Sequence, residues 1–352
     1  MKDQNSSYTI IQNMRAIAIL MVVMHHAVNA LHVQECNAFV LLINRIHVNV
    51  FFVISGFLFQ KKCNKYCNDS SFVKTKFMQL IVPYFAFSGL FSTLMLVGDV
   101  IPSIGGIISS FGPQKRIFEA IVDIILFRNV YFESLWYIYV LFLIFVLSYI
   151  AERKRILPVS KMLLMTIAIF TICVKAYIGT DLWLIINKVI TYFVWFYAGR
   201  VICEEDYSID KSRARKVYPL VSIFMLIICA YRITKIDLFS MIGSRWLRAL
   251  YVQLETVVFS ISGVMLVYFI SMKINKRITT LKVIGDYSYD IYLVHNPWII
   301  SSSALILQKI LKNQAMQLCI VVIISVGLPI VISKFLSKYF SPVYKFLFGK
   351  GS

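Results

Sequence analysis

The stretch 15–26, which reads RAIAILMVVMHH, places an arginine and two adjacent histidines in one apolar segment. Histidine exchanges protons near neutral pH, and the arginine guanidinium binds anions through forked hydrogen bonds. Because an α-helix turns about 100° per residue, Arg15 and His26 are predicted to share one face, about 16 Å apart along the axis. His25 is rotated about 100° from that face. Lipid penalises ionisable side chains, so this position predicts a functional site within a membrane segment.

The same stretch also fits a plain spanning helix. In that interpretation Arg15 is a flanking cation that extends its guanidinium to the membrane surface and sets the topology. His26 would then form a hydrogen bond with a neighbouring helix. The spacing alone does not separate the two interpretations.

The composition is that of an integral membrane protein. Of the 352 residues, 59% are hydrophobic and 15% are charged, which excludes an ordinary soluble protein. The formal net charge is +19, but the cations cluster in alternate connecting segments, so no nucleic-acid partner is predicted. Cys63 and Cys67 lack a second pair of ligands nearby in the sequence, so no metal site is predicted either.

Long apolar runs predict the fold. A membrane-spanning helix needs about 20 mostly apolar residues. By this measure the sequence predicts an all-α, polytopic bundle of about ten transmembrane helices, with approximate bounds 14–33, 39–60, 77–98, 134–150, 160–178, 182–202, 216–232, 249–271, 287–308 and 317–340. Residues 117–130 are apolar but contain Glu119, Asp123 and Arg128, so an amphipathic or re-entrant helix is expected there.

The lysines and arginines indicate the orientation of these helices. They are concentrated in every second connecting segment, at 61–76, 153–161, 200–216, 273–282 and 334–350. Under the positive-inside rule these segments and both termini are cytoplasmic. The first apolar run has neither a basic region before it nor a small-residue cleavage site after it, so it is expected to remain uncleaved. Residues 1–352 are expected to form a single transmembrane domain.

Other polar residues lie within or beside the predicted spans. His47 and Asn49 are in the second span, and so are Ser55 and Gly56. Small residues allow close helix packing, which is the favoured interpretation of Ser55 and Gly56. Glu255 lies in the eighth span, where a carboxylate must be paired with a cation, protonated or exposed to a water-filled cavity.

Two residues of later segments have both a structural and a functional interpretation. His295 lies two residues before Pro297. It either lines a cavity or bonds to backbone carbonyls that a proline kink sets free. Trp136 fits an interfacial aromatic belt, and it could stack on a sugar if it faces a cavity.

Four motifs resemble those of one known family. The arginine–histidine helix RAIAILMVVMHH is followed by FFVISGF at 51–57, SLWYIYVLF at 134–142 and GDYSYDIYLVHNPW at 285–298. In content and order these resemble the acyltransferase-3 family of integral membrane O-acyltransferases, in its stand-alone, single-domain form. Many members have Asp, Glu or Pro at the position of Asn49, and a small residue at that of Asp290.

The resemblance implies an O-acyltransferase of the inner (cytoplasmic) membrane. Such an enzyme would move an acyl group, in particular acetyl, from acetyl-CoA or another acyl-CoA to a sugar hydroxyl. The expected acceptor is a cell-surface polysaccharide such as O-antigen, or an undecaprenyl-linked saccharide. The alternative is a transporter of such a glycan, since buried polar residues and many spans would suit it equally well.

The resemblance also implies roles for individual residues. His26 would be the general base, and Arg15 would bind the phosphates of coenzyme A or position the substrate. The further candidates for lining a substrate cavity are His47, Asn49, Ser55, Trp136, Glu255 and His295.

Overall fold

The computed structural model describes residues 2–63, 71–100, 117–127, 133–178, 184–204, 214–235, 242–274 and 278–350. Every regular element within these ranges is helical, which confirms the all-α prediction. In lipid a helix satisfies its own backbone polar groups, so long apolar runs form helices. The α-helices are α1 (Lys2–Leu31), α2 (Asn37–Ile43), α3 (His47–Lys61), α4 (Phe72–Lys76), α5 (Val82–Val100), α6 (Ile117–Ile125), α7 (Trp136–Arg153), α8 (Lys161–Ile178), α9 (Leu184–Glu204), α10 (Ala214–Lys235), α11 (Arg245–Lys273), α12 (Thr279–Asp286), α13 (Ser288–Val294), α14 (Ile300–Ile310), α15 (Gln314–Tyr339) and α16 (Ser341–Phe348).

Five described segments are long and apolar enough to cross a membrane. They coincide with five of the predicted spans and comprise Tyr8–Leu31, Phe39–Lys61, Trp136–Arg153, Arg245–Lys273 and Gln314–Tyr339. The other predicted spans fall on α5, α8, α9, α10 and the pair α13 and α14. Of the predicted span 182–202, residues 182–183 lie outside the described ranges. The segment 117–130 contains helix α6, which is nine residues long and too short to cross a bilayer. Arg128 of this segment lies outside the described ranges.

Two predicted spans are interrupted. The span 39–60 is divided by a turn at 44–46, between α2 and α3. The span 287–308 is divided at Asn296, whose φ of −134° and ψ of 137° are extended. Proline lacks an N–H group and disfavours helical geometry in the residue before it. Pro297 therefore explains the second interruption.

The chain divides into two compact units, and the first comprises residues 1–25, 34–68 and 149–288. Within it, α3 and α9 pack at close range because each has a glycine at the contact. A Cβ atom added at Gly56 would overlap the carbonyl oxygen of Phe196, and one at Gly199 would overlap that of Val53. The packing role predicted for Gly56 is thus confirmed.

The second unit comprises residues 26–33, 69–148 and 289–352. Its core is rich in aromatic rings. Tyr84 of α5 lies 5.8 Å from Tyr139 of α7, measured between ring centroids, and its hydroxyl donates to the carbonyl of Ile124. Phe348 of α16 packs edge-on against Phe87 of α5 at 5.7 Å. These contacts hold α5, α6, α7 and α16 together.

Candidate catalytic site

Helix α1 contains both residues of the predicted arginine–histidine face. Residues 15–26 are helical without interruption, as the spacing argument requires. Arg15 and His26 are each partly exposed, whereas the neighbouring Ala16 and Ala27 are fully buried. The rest of the protein therefore covers both polar residues only in part.

In the second unit, His26 lies beside His295. The centroids of the two imidazole rings are 5.2 Å apart, with an interplanar angle of 58°. His295 is completely buried. Its Nδ1 atom lies 2.8 Å from the carbonyl oxygen of Tyr292 and 3.1 Å from that of Ile291. The helix interruption that follows at Asn296 leaves His295 at the end of a helical turn.

The helix interruption expected beside Pro297 is confirmed, and Nδ1 of His295 faces backbone carbonyls, those of Tyr292 and Ile291. The second ring nitrogen has a different environment. Nε2 of His295 is buried and forms no hydrogen bond with any residue of the described ranges. One face of this imidazole is thus used by the backbone, while its other nitrogen remains available beside His26.

The start of α7 is anchored to the same region of the second unit. The hydroxyl of Tyr292 donates to the carbonyl of Ser134, and the hydroxyl of Ser134 donates to the carbonyl of Asn296 at 3.4 Å. The ring of Tyr137 lies 5.4 Å from that of Tyr292. Trp136, the first residue of α7, is partly exposed, and its ring lies 6.4 Å from that of Tyr137. The contacts of Ser134 and Tyr137 thus fix the first turn of α7 to the kinked segment.

In the first unit, the other histidine of the pair, His25, lies beside His47. Their ring centroids are 5.6 Å apart. His47 is buried, and its Nδ1 lies 2.7 Å from the carbonyl oxygen of Ile43. Two residues later, the amide of Asn49 donates to the carbonyl of Arg45 at 2.8 Å. Both side chains thus stabilise the turn between α2 and α3.

Glu255 of α11 forms an ion pair with Arg45, which lies in the turn between α2 and α3. Its carboxylate lies 3.8 Å from the guanidinium of Arg45, and its side chain is 5% exposed. The carbonyl of Arg45 also accepts a hydrogen bond from the hydroxyl of Ser260 at 2.6 Å. Of the alternatives that the sequence leaves for Glu255, the structure shows the ion pair. Ser55 is partly exposed on α3.

A second polar cluster of the first unit was not predicted. Arg200 of α9 is fully buried. It donates from Nε to Gln60 at 2.8 Å and forms an ion pair with Glu152, and its guanidinium lies over the rings of Phe59 and Tyr197. The signal available in the sequence is that these polar residues lie at or near the ends of three predicted spans, which the predicted topology places at one membrane face. Within the described ranges, no three His, Cys, Asp or Glu side chains form a group that could hold a metal ion.

Apolar helices long enough to cross a bilayer, several with buried polar side chains, define a multi-pass membrane protein. Residues 8–334 match the family model Acyl_transf_3, which is described as an acyltransferase domain. The match covers nearly the whole chain, so the chain belongs to the acyltransferase-3 family and is an acyltransferase. No curated protein and no solved structure matches the chain.

Proposed function

We propose that this protein is a membrane O-acetyltransferase. It takes an acetyl group from acetyl-CoA and transfers it to a hydroxyl of a cell-surface polysaccharide or of an undecaprenyl-linked saccharide. The observation that carries the proposal is the position of His26: a partly exposed imidazole within an apolar helix of a chain that belongs to an acyltransferase family. An ionisable side chain in a membrane segment is costly, so its presence there favours a functional role.

His26 acts as the general base in this proposal. Its neutral imidazole takes the proton of the sugar hydroxyl as the hydroxyl oxygen attacks the thioester carbonyl. The carbon–sulfur bond then breaks, and the coenzyme A thiolate receives the proton from the imidazolium. The products are an acetyl ester and free coenzyme A, so protons and charge balance. Histidine suits the role because its ordinary pKa is close to ambient pH.

The topology that we propose places donor and acceptor on opposite sides of the membrane. Ten spans with cytoplasmic termini put Arg15 near the cytoplasmic end of the first span, where acetyl-CoA is available. Its guanidinium binds a phosphate of coenzyme A through forked hydrogen bonds. His26 is about 16 Å further along the helix, near the middle of a roughly 30 Å hydrocarbon layer, where an acceptor can arrive from the other side.

The proposal is tested by glycan analysis in a host that lacks the gene. Wild type, His26→Ala and His32→Asn are expressed at equal levels, and the surface glycan is analysed by mass spectrometry before and after mild alkali. His32→Asn is the matched control because His32 directly follows the same helix, is exposed and has a φ of 53° that asparagine tolerates. We expect an alkali-labile acetyl mass with wild type and His32→Asn, and none with His26→Ala.

Two outcomes would contradict the proposal. Acetylation that persists in His26→Ala would remove His26 from the role of base. An unmodified glycan that reaches the surface only when the protein is present would instead indicate a transporter. A further assay with purified protein in nanodiscs, labelled acetyl-CoA and isolated glycan measures the transfer directly.

A further inference from the structure

The protonation of His295 follows from its backbone contacts. Its Nδ1 atom faces two carbonyl oxygens, those of Tyr292 and Ile291. A carbonyl only accepts hydrogen bonds, so Nδ1 carries a proton. In a neutral imidazole the other nitrogen then has a lone pair and accepts. Nε2 of His295 is therefore a buried acceptor, and within the described ranges no donor forms a hydrogen bond with it.

Two titratable side chains on the same helical segment have other partners. The hydroxyl of Tyr292 donates to the carbonyl of Ser134. The carboxylate of Asp290 contacts Lys350 and Tyr344. The ring of Tyr292 lies 5.9 Å from that of His295, and the ring of His26 lies 5.2 Å from it, measured between centroids. Because the Tyr292 hydroxyl donates to Ser134, His26 is the neighbour considered as a donor to Nε2. That separation lets two imidazole nitrogens approach to about 3 Å, a normal hydrogen-bond distance, after a rotation of the His26 ring.

The two histidines differ in access. His26 is partly exposed, so a substrate hydroxyl can reach it. His295 has no exposed surface, and its Nδ1 is used by the backbone. A group in this position does not touch substrate, but it can determine which nitrogen of its neighbour carries the proton.

We propose that His295 is a positioning residue for His26. Its Nε2 accepts a hydrogen bond from one ring N–H of His26, which fixes the tautomer of His26 and directs the lone pair of its other nitrogen towards the acceptor hydroxyl. The bond shortens when substrate is bound, as catalytic hydrogen bonds commonly do. This inference depends on the proposed function, because it requires His26 to be the base.

Two substitutions at His295 separate positioning from packing. In His295→Gln the amide oxygen lies near the place of Nε2, so an acceptor for His26 is kept. In His295→Asn the shorter amide replaces only the Nδ1 side of the ring. For a lost tautomer restraint on a general base we expect kcat of His295→Asn to fall about 100-fold, with KM changed less than about threefold. His295→Gln should keep kcat within about tenfold of wild type.

The controls distinguish the possible failures. Thermal stability is measured for each variant in the same nanodiscs, and His32→Asn reports unspecific effects. If His295→Asn and His295→Gln lose stability and activity equally, or if both retain full activity, the positioning role is wrong. If His26→Ala is fully active, the proposed role of His26 as base has failed instead, and with it the need for a positioning residue. If wild type itself transfers no acetyl group, the proposed function has failed.

A second measurement uses the unmodified protein and so does not depend on the folding of variants. The chain has five histidines, which allows ¹⁵N-histidine magnetic resonance spectra of the protein in lipid to be assigned by single substitutions. We expect His295 to carry its proton on Nδ1 and to show an N–H···N correlation with His26 when a non-reactive acyl-CoA analogue and glycan are bound. Absence of that correlation, or a proton on Nε2 of His295, would overturn the inference.

Discussion

The ammonium group of Lys350 lies 2.7 Å from one carboxylate oxygen of Asp290 and 3.0 Å from the other. Asp290 is completely buried, and its carboxylate also accepts a hydrogen bond from the hydroxyl of Tyr344 at 2.8 Å. The pair joins the segment that follows α16 to α13 within the second unit. Both Lys350 and Tyr344 lie beyond residue 334, where the family match ends.

Loss of Lys350 should destabilise the protein more than loss of the ion pair as a whole. Removing one partner of a buried pair costs about 3–5 kcal/mol, because the other charge remains uncompensated. The cost here is lower, since the Lys350 side chain is 36% exposed. We expect Lys350→Met to lower the midpoint of thermal unfolding by several degrees, and the double variant with Asp290→Asn to recover part of that loss.

Lys345→Met is the matched control for this measurement. Lys345 lies on α16, the helix that Lys350 follows, and is exposed. Its substitution should leave the unfolding midpoint within about a degree of wild type, since exposed charges contribute little. Equal effects of Lys345→Met and Lys350→Met would show that the pair with Asp290 does not stabilise the fold.

Gly56→Ala should disrupt the contact between α3 and α9. The added Cβ atom would overlap the carbonyl oxygen of Phe196, which is backbone and cannot rotate away. Overpacking of this kind typically costs about 1–3 kcal/mol, and more when backbone must move. Thermal unfolding in detergent measures the loss. By contrast, Gly327→Ala on α15 should be neutral or stabilising by up to about 1 kcal/mol. There the described residues place no atom from outside the helix's own nearby backbone within 4 Å of the added Cβ.

Arg200→Lys should destabilise the first unit although it preserves the charge. Arg200 bonds to Gln60 and Glu152 simultaneously, from different nitrogens of one planar group. A lysine ammonium is a compact point charge that cannot reproduce this fork, and it is more costly to bury. We expect a clear fall in the unfolding midpoint. Arg153→Lys, at an exposed arginine of α7, should have no such effect, and equal midpoints for both variants would contradict the argument.

The sequence predicts the helices well because their signal is local. Apolar runs of spanning length define them, and the kink at His295 follows from Pro297 two residues later. The sequence does not predict the partners of the polar residues. That His26 meets His295, or that Lys350 returns to Asp290, depends on how helices far apart in sequence pack within one unit. No local pattern encodes those pairs, so the sequence indicates which residues need partners and the structure supplies them.

The role of Arg15 can be separated from its topological alternative by Arg15→Lys. If Arg15 only sets orientation, lysine serves equally well under the positive-inside rule, and the variant is silent. If Arg15 holds a phosphate of coenzyme A by a fork, lysine retains the charge but loses one of two parallel hydrogen bonds. We then expect KM for acetyl-CoA to rise about tenfold, which corresponds to about 1.4 kcal/mol, with kcat little changed. The assay is transfer of labelled acetyl by purified protein, with Arg153→Lys as the control. An unchanged KM in Arg15→Lys would show that Arg15 acts only as a flanking cation.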